Sequence, residues 1–341
     1  SGILANSIRN PQNKYENGFA IIDYLIDEAK LKVTFKKGEH PKKKFILNTS
    51  IGNEGIWEMN IPVGKEVEKI LNEQKLIKQI NKEVKPKIDS HLLSYSTETN
   101  APKSVTELFV MPNISIKEEF DAEKENKFVE NLSTLILSNR NYILFGTKES
   151  GKTILLDKIL LDSIECNKSH HQIPIIIDFR EFKDNVLKEI KEFLNKPSEE
   201  VNFIIKEYKI LLLIDNISFE DEDVYKLKAL KLFIQQNENV RFIATYQQLF
   251  EEDFPTNLEL VSMLDFDRLT IKQFKSKQIK QLIQKWFPNS DKYETPKKLE
   301  TLTNAFLALN LPRTPFAVSM FLWIIEKQEN FNVESQENIP T

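Results

Sequence analysis

The sequence predicts an α/β protein: a mostly parallel sheet with helices on both faces, preceded by a short β segment and linker helix and followed by a small helical domain. Three observations lead there. From about residue 105 to 268, strand-sized apolar runs alternate with helical patterns, as parallel strands joined by crossover helices require. From about residue 269 the strands give way to helical patterns alone. The glycines are unevenly spread: of eight, six lie in the first 64 residues and the other two are Gly146 and Gly151. A chain that otherwise avoids glycine keeps it where backbone must approach a phosphate closely.

The first division, residues 1–62, reads as β. Residues 19–26 are apolar, 27–30 form a turn, and 31–35 alternate with period two, which together suggest a hairpin. Residues 45–47 and 56–59 are weaker strand candidates. Residues 63–104 form a helical linker, in which Val67, Ile70, Leu71, Ile77, Ile80, Val84 and Ile88 recur near helical spacing over 64–93. A polar stretch follows at 94–104.

The third division spans 105–268. Phe120, Phe128, Leu132, Leu135 and Ile136 mark a helix, and 142–145 a short buried strand. A Leu- and Ile-rich helix over 153–164 precedes a strand at 173–179, a helix at 186–194 and a strand at 210–214. A helix at 227–234 and a strand at 241–245 complete it. In the last division, 269–341, helices are expected at 271–287, 299–309 and 316–326. Pro312 and Pro315 stand at the start of the last, where a first turn tolerates proline.

Composition narrows the function. Lys+Arg total 47 against Asp+Glu 51, a formal net charge of −4, so no global field favours nucleic acid or membrane. With one cysteine, Cys166, no disulfide forms within the chain and a reducing, cytoplasmic setting is expected. The four histidines, His40, His91, His170 and His171, show no metal-ligand spacing; the last two read as a polar loop. No apolar run reaches the ~20 residues of a membrane span, and no signal peptide is visible. The chain opens without Met, so a piece of a longer protein is expected.

The chemistry concentrates at Gly146-Thr147-Lys148-Glu149-Ser150-Gly151-Lys152-Thr153. This is a P-loop (Walker A) in its required context, after a strand and opening a helix. Backbone N–H groups of 148–153, with Ile154 next in the helix, cradle phosphate, and the helix N-terminus adds partial positive charge. Lys152 reaches the β- and γ-phosphates, and Thr153 offers its hydroxyl to Mg²⁺. About 60 residues on, the apolar run 210–214 ends in Asp215, a Walker B carboxylate aimed at the crevice where such sheets bind ligands. Thr245 ends the next strand; it either contacts the γ-phosphate and attacking water or is a satisfied strand-end hydroxyl. The expected cofactors are ATP or ADP with Mg²⁺, and the metal ligands Thr153 and Asp215.

Walker A, the strand Ile173-Pro174-Ile175-Ile176-Ile177-Asp178, Walker B, a strand ending in Thr, and Leu311-Pro312-Arg313-Thr314-Pro315-Phe316 follow in that order. The arrangement resembles the STAND class of signalling ATPases, near the NACHT and NB-ARC modules, over roughly residues 105–330. The resemblance implies that the Thr245 strand lies between those of Walker A and Walker B. It also implies that Pro315 contacts the adenine base. The chain departs from that pattern at Ser218 and Phe219, where the family places acids, and at Gln247, where it places arginine. Glu220 and Asp221 are then the candidate water-orienting acids, and hydrolysis is expected to be slow. Ser1 to Ser7 and Asn17-Gly18-Phe19-Ala20-Ile21-Ile22 resemble the last strands of a calcineurin-like metallophosphoesterase. No counterpart of that family's metal ligands is seen, so no phosphoesterase activity is expected of this chain.

The resemblance implies a nucleotide-controlled switch that self-associates when a trigger, unidentified here, is sensed by a region beyond residue 341, in signalling or antiviral defence. The alternative is an AAA+-like ATPase acting on nucleic acid through Lys272, Lys275, Lys277 and Lys280. Their interleaving with Ile271, Phe274 and Ile279 also fits the solvated face of an amphipathic helix.

Overall fold

A computed structural model of the chain describes residues 2–9, 15–25, 30–39, 44–49, 53–60, 64–89, 104–116, 127–250, 253–289 and 293–337. Two compact units divide it, Ser1–Lys78 and Gln79–Thr341. Within the first, strands β1 (Gly2–Arg9), β2 (Tyr15–Leu25), β3 (Lys30–Glu39) and β4 (Lys44–Leu47) pair antiparallel in that order. Strand β5 (Ile56–Asn60) also pairs with β3. The expected hairpin is β2–β3, with Ile22 opposite Val33. Of the expected turn at 27–30, residues 27–29 lie outside the described residues, as do His40 and His91, and Lys30 opens β3.

Helix α1 (Lys65–Asp89) buries Leu71, Ile77, Ile80, Val84 and Ile88 and leaves Val67 and Ile70 exposed. The expected continuation to 93 and most of the polar stretch 94–104 fall outside the described residues. Asp89, at the end of α1, accepts a hydrogen bond from the backbone N–H of Val105 at 3.0 Å. That contact anchors the one-turn helix α2 (Val105–Leu108), which opens with a capping box between Ser104 and Glu107.

The second unit holds the parallel sheet. Strands β6 (Ile114–Ile116) and β7 (Lys127–Phe128), helix α3 (Leu132–Leu137), β8 (Tyr142–Thr147) and α4 (Lys152–His170) come first. Next are β9 (Gln172–Asp178), α5 (Val186–Leu194), α6 (Ser198–Glu207), β10 (Lys209–Ile217), α7 (Val224–Gln236) and β11 (Val240–Gln248). Helix α8 (Leu258–Val261) and β12 (Asp267–Ile271) close the sheet. Its order among the described residues is β7-β6-β12-β8-β11-β10-β9. The five strands from β12 to β9 run parallel; β6 and β7 add antiparallel at the edge. Ile210, Leu211, Leu212, Leu213 and Ile214 of β10 are all 0% exposed, as a strand covered on both faces should be.

Two expectations need correction. The helix marked by Phe120 to Ile136 is smaller: Phe128 sits in β7 opposite Ser115, and α3 starts only where Asn131 caps it through Thr134 N–H at 3.1 Å; Phe120 lies outside the described residues. Strands also do not stop at 269. Residue Ile271 is the last of β12, paired with Ile114, and the helix expected from 271 begins at Ser276. Burial of Leu269, paired on both sides, and of Ile271, paired with β6, outweighs the helical spacing of the residues that follow.

Helices α9 (Ser276–Trp286), α10 (Glu294–Ala308) and α11 (Pro315–Glu337) complete the unit. Their core joins Phe274, Ile279, Leu282, Ile283, Trp286, Leu302, Phe306, Val318 and Leu322 with Leu108 and Val110 from the segment before the sheet. Polar contacts repeat that attachment: Lys285 Nζ donates to Phe109 O at 2.7 Å, and Gln278 to Asn113 at 2.7 Å. The lysines at 275, 277 and 280 are exposed while Phe274 and Ile279 are buried, the amphipathic arrangement anticipated from sequence.

Candidate nucleotide site

The loop after β8 has the shape its sequence demands. Gly146 has no room for a side chain: a Cβ there would stand 2.4 Å from Ser150 Oγ and 3.3 Å from Lys152 Cγ. Glu149 and Gly151 both take left-handed backbone, at φ 65 and φ 83; the second costs glycine nothing. Lys152 folds back into the loop, donating to Gly146 O at 3.1 Å and Thr147 O at 2.8 Å. Burial lowers its pKa to about 8, only partly opposed by the charge of Asp215. Ser150 Oγ is buried without a hydrogen-bond partner. A desolvated cation and an orphaned hydroxyl beside a helix N-terminus suit a phosphate chain, which would offer Lys152 an anionic acceptor beyond its two carbonyls and give Ser150 Oγ a partner.

Walker B lies beside it. Thr153 Oγ1 donates to Asp215 Oδ2 at 2.8 Å. The hydroxyl of Thr245 donates to the other carboxylate oxygen and accepts from Asn216 N–H at 2.9 Å. A register shift between Ile214 and Ile217 and left-handed backbone at Asn216, φ 61, re-aim the end of β10, as bulges near sites do. Among the described residues no group of three or more His, Cys, Asp or Glu gathers as a metal site. Mg²⁺ held by Thr153 and Asp215 would take the rest of its shell from phosphates and water, its usual habit.

A cavity of about 310 Å³ extends from the loop toward the helices. Glu149, Ser150, Gly151, Lys152, Thr153 and Ile154 of the loop line it with Asn216 and Gln247. Phe109, Val110, Pro112, Trp286 and Pro315 supply an apolar part of the lining. Pro315 opens α11 after Thr314, whose hydroxyl caps the helix through Ala317 N–H at 3.1 Å. A Cβ at Gly151 would meet Pro315 Cγ at 3.3 Å, so the helical part sits directly on the phosphate loop.

The structure therefore brings together residues 149–154, Asp215, Thr245 and Pro315, with Gly146 and Thr147 beneath Lys152. Lys148 is exposed on the loop's tip and is not among the cavity-lining residues. Neither Glu220 nor Asp221 lines the cavity. Both are exposed, and Asp221 accepts from Asn257 at 2.7 Å. Phe219 explains why this loop turns away: it is buried, 5.6 Å from Tyr246 and 6.4 Å from Phe266 between ring centroids. Burial raises the pKa of Tyr246, and the charges of Glu220 and Asp253 raise it further.

Sequence reading missed the segment 105–112, Asn216 and the pair Asp178–Arg180. The first carries no motif. The second stands out only as an amide directly after a strand-end aspartate, where apolar residues resume at Ile217.

Sheet order, loop and carboxylate together define a P-loop nucleoside triphosphatase fold, with the Thr245 strand between those of Walker A and Walker B as the resemblance implied. Comparison with protein-family models finds no match, and neither does comparison with curated proteins. Among solved structures, the chain is similar to the replication initiator DnaA bound to AMPPCP and single-stranded DNA, at TM-score 0.39 and 15% identity, covering 60% of this chain and 62% of that one. It is similar to domain III of Thermotoga maritima DnaA at TM-score 0.40 and 15% identity, over 61% and 84% of the two chains. For the Aeropyrum pernix ORC1 protein in complex with DNA the values are 0.40 and 16%, over 58% and 59%. The chain thus spans about three fifths of the first and last of these. TM-scores of this size leave the reading of the site to its own geometry. Among the described residues no helix is long and apolar enough to cross a membrane.

Proposed function

We propose that residues 105–337 form an ATP-binding switch, in which Mg²⁺ and ATP or ADP occupy the cavity and set the position of helices α9–α11 against the sheet. The observation that carries this reading is the shared wall: Pro315 of α11 rests on Gly151 of the phosphate loop, and one cavity is lined from both sides. Phosphates then lie against 146–153 and the base against Phe109, Val110 and Pro315. A nucleotide so placed touches every part whose separation would constitute a conformational change, so its phosphate state can bias that change. Bound Mg²⁺ would neutralise charge between the β- and γ-phosphates.

The wider reading follows the STAND/NACHT resemblance. Nucleotide exchange or hydrolysis releases a surface for self-association, in signalling or antiviral defence, with residues 1–62 as the end of a phosphoesterase-like domain and 63–104 as its linker. Slow turnover fits Gln247, an uncharged residue, lining the cavity where an arginine would oppose γ-phosphate charge. Calorimetric titration with Mg·ATP and Mg·ADP tests the core claim. Wild type binds both; a chain that binds neither rules the reading out.

An ATPase acting on nucleic acid remains the alternative, favoured by the exposed Lys275, Lys277 and Lys280. Binding of single- or double-stranded DNA with a steep salt dependence, lost when these three become Ala, would select it.

A further inference from the structure

The water-orienting acid expected at Glu220 or Asp221 stands outside the cavity; Asp178, not itself a cavity-lining residue, lies one strand from Asp215 and is joined to the cavity through Asn216. β9 and β10 run parallel with Asp178 in register beside Asp215. β9 ends at Asp178 and β10 two residues beyond Asp215, at the carboxyl edge where the phosphate loop also sits. The side chain of Asn216, a cavity-lining residue, reaches across to Asp178, Nδ2 to Oδ1 3.3 Å. Asn216 is itself fixed at three points, through its N–H to Asp215 Oδ1 (3.1 Å) and Thr245 Oγ1 (2.9 Å) and through that amide. Asp178, Asn216, Asp215 and Thr245 thus form one hydrogen-bonded polar strip across the carboxyl-terminal parts of β9, β10 and β11.

Resting on the nucleotide-binding reading, we propose that Asp178 is the carboxylate that orients the attacking water, with Asn216 as its positioning residue. Carboxylate and amide occupy neighbouring strands, and the amide, directly after the Walker B aspartate, holds the carboxylate from the side. In the step, the water oxygen bonds to the γ-phosphorus and the bond from that phosphorus to the bridging oxygen breaks. Its electron pair leaves on ADP, while the water's proton passes to Asp178 and on to solvent.

In this arrangement Arg180 would keep turnover slow. Its guanidinium engages both oxygens of Asp178, with Nη2–Oδ2 2.6 Å, Nε–Oδ1 3.1 Å and Nε–Oδ2 3.2 Å, and its N–H donates to Oδ1 at 3.0 Å. Burial pushes the Asp178 carboxyl up, but the hydrogen bonds from Arg180 and Asn216 outweigh it and hold it below the ordinary range. It stays charged, and it is occupied: water must compete with Arg180 for its lone pairs.

Single-turnover phosphate release from γ-labelled ATP, with protein in excess and Mg²⁺ present, tests this. Asp178→Asn should slow release at least about 30-fold, within the ~10²–10⁴ a general base contributes, while ATP affinity stays within about threefold. Asn216→Gly, which keeps the left-handed backbone, should slow release roughly tenfold alone and add nothing in the Asp178→Asn background, since the two act as a unit. Release from Asp178→Asn within threefold of wild type overturns the proposal, as does an equal loss from Glu220→Gln with Asp221→Asn. Wild type that binds ATP but releases no phosphate over hours overturns it too. Absence of ATP binding by wild type overturns the nucleotide reading and this one together.

Discussion

The two parts of the cavity lining are built on different principles. The phosphate part is one continuous octapeptide, shaped by backbone: two residues in left-handed conformation, a glycine beneath Ser150, and a lysine folded onto two carbonyls. The apolar part is made of side chains from three distant segments, at 105–112, 274–286 and 315–319. Apolar packing that joins Leu108 and Val110 to the core of α9–α11 assembles it. Local backbone geometry writes itself into sequence as a motif with fixed spacing; a wall assembled by packing leaves only apolar residues, which look like core.

That contrast predicts a separation of effects. The largest belongs to Lys152→Ala, which should weaken ATP and ADP binding at least tenfold, because a buried phosphate charge loses its cation. It should weaken inorganic tripolyphosphate equally. Phe109→Ala should cost nucleotide affinity about 1–2 kcal/mol from lost apolar contact and leave tripolyphosphate unaffected. Calorimetry with both ligands measures this, and equal losses for the two ligands in Phe109→Ala would break the division of the cavity.

The same division explains what could be read in advance. Strands β8, β10 and β11 were legible because an apolar run bounded by a glycine loop or a strand-end polar residue has few other readings. The hairpin β2–β3 was legible from alternation at 31–35. β12 was not: Leu269 and Ile271 sit next to a helical pattern, and only pairing with β6 and β8 decides for strand. Asp178 was legible as a strand end and not as a site, since its meaning depends on Asn216, 38 residues away. Phe219 was visible as a departure from the family pattern, but its burial among aromatic rings, which turns Glu220 outward, is a property of packing.

Metal dependence is a smaller effect in the phosphate part. Asp215→Asn should leave ADP binding in EDTA within about twofold of wild type and reduce the gain from Mg²⁺ severalfold, as one charged contact to the metal's water shell is lost. An unchanged gain in Mg²⁺ titrations would make Asp215 a strand-end residue only.

The smallest effect is on pH. Free Lys152 titrates at about 8 because burial disfavours its charge, and bound phosphate restores a higher value. Only the protonated form meets the phosphate as a cation. Affinity should therefore be flat below about pH 7.5 and fall as pH rises through 8, by up to tenfold per unit. Lys152→Ala should abolish that dependence. Affinity that rises through this window in wild type would contradict the assigned role.

The most direct test of the two-part cavity lining is an experimental structure of the chain with Mg·ADP. The account predicts phosphates in the loop 146–153 and the base in contact with Phe109 and Pro315, at the 4–4.5 Å of apolar contact. Phosphates elsewhere, or Pro315 more than ~8 Å from the base, twice a contact distance, would contradict it.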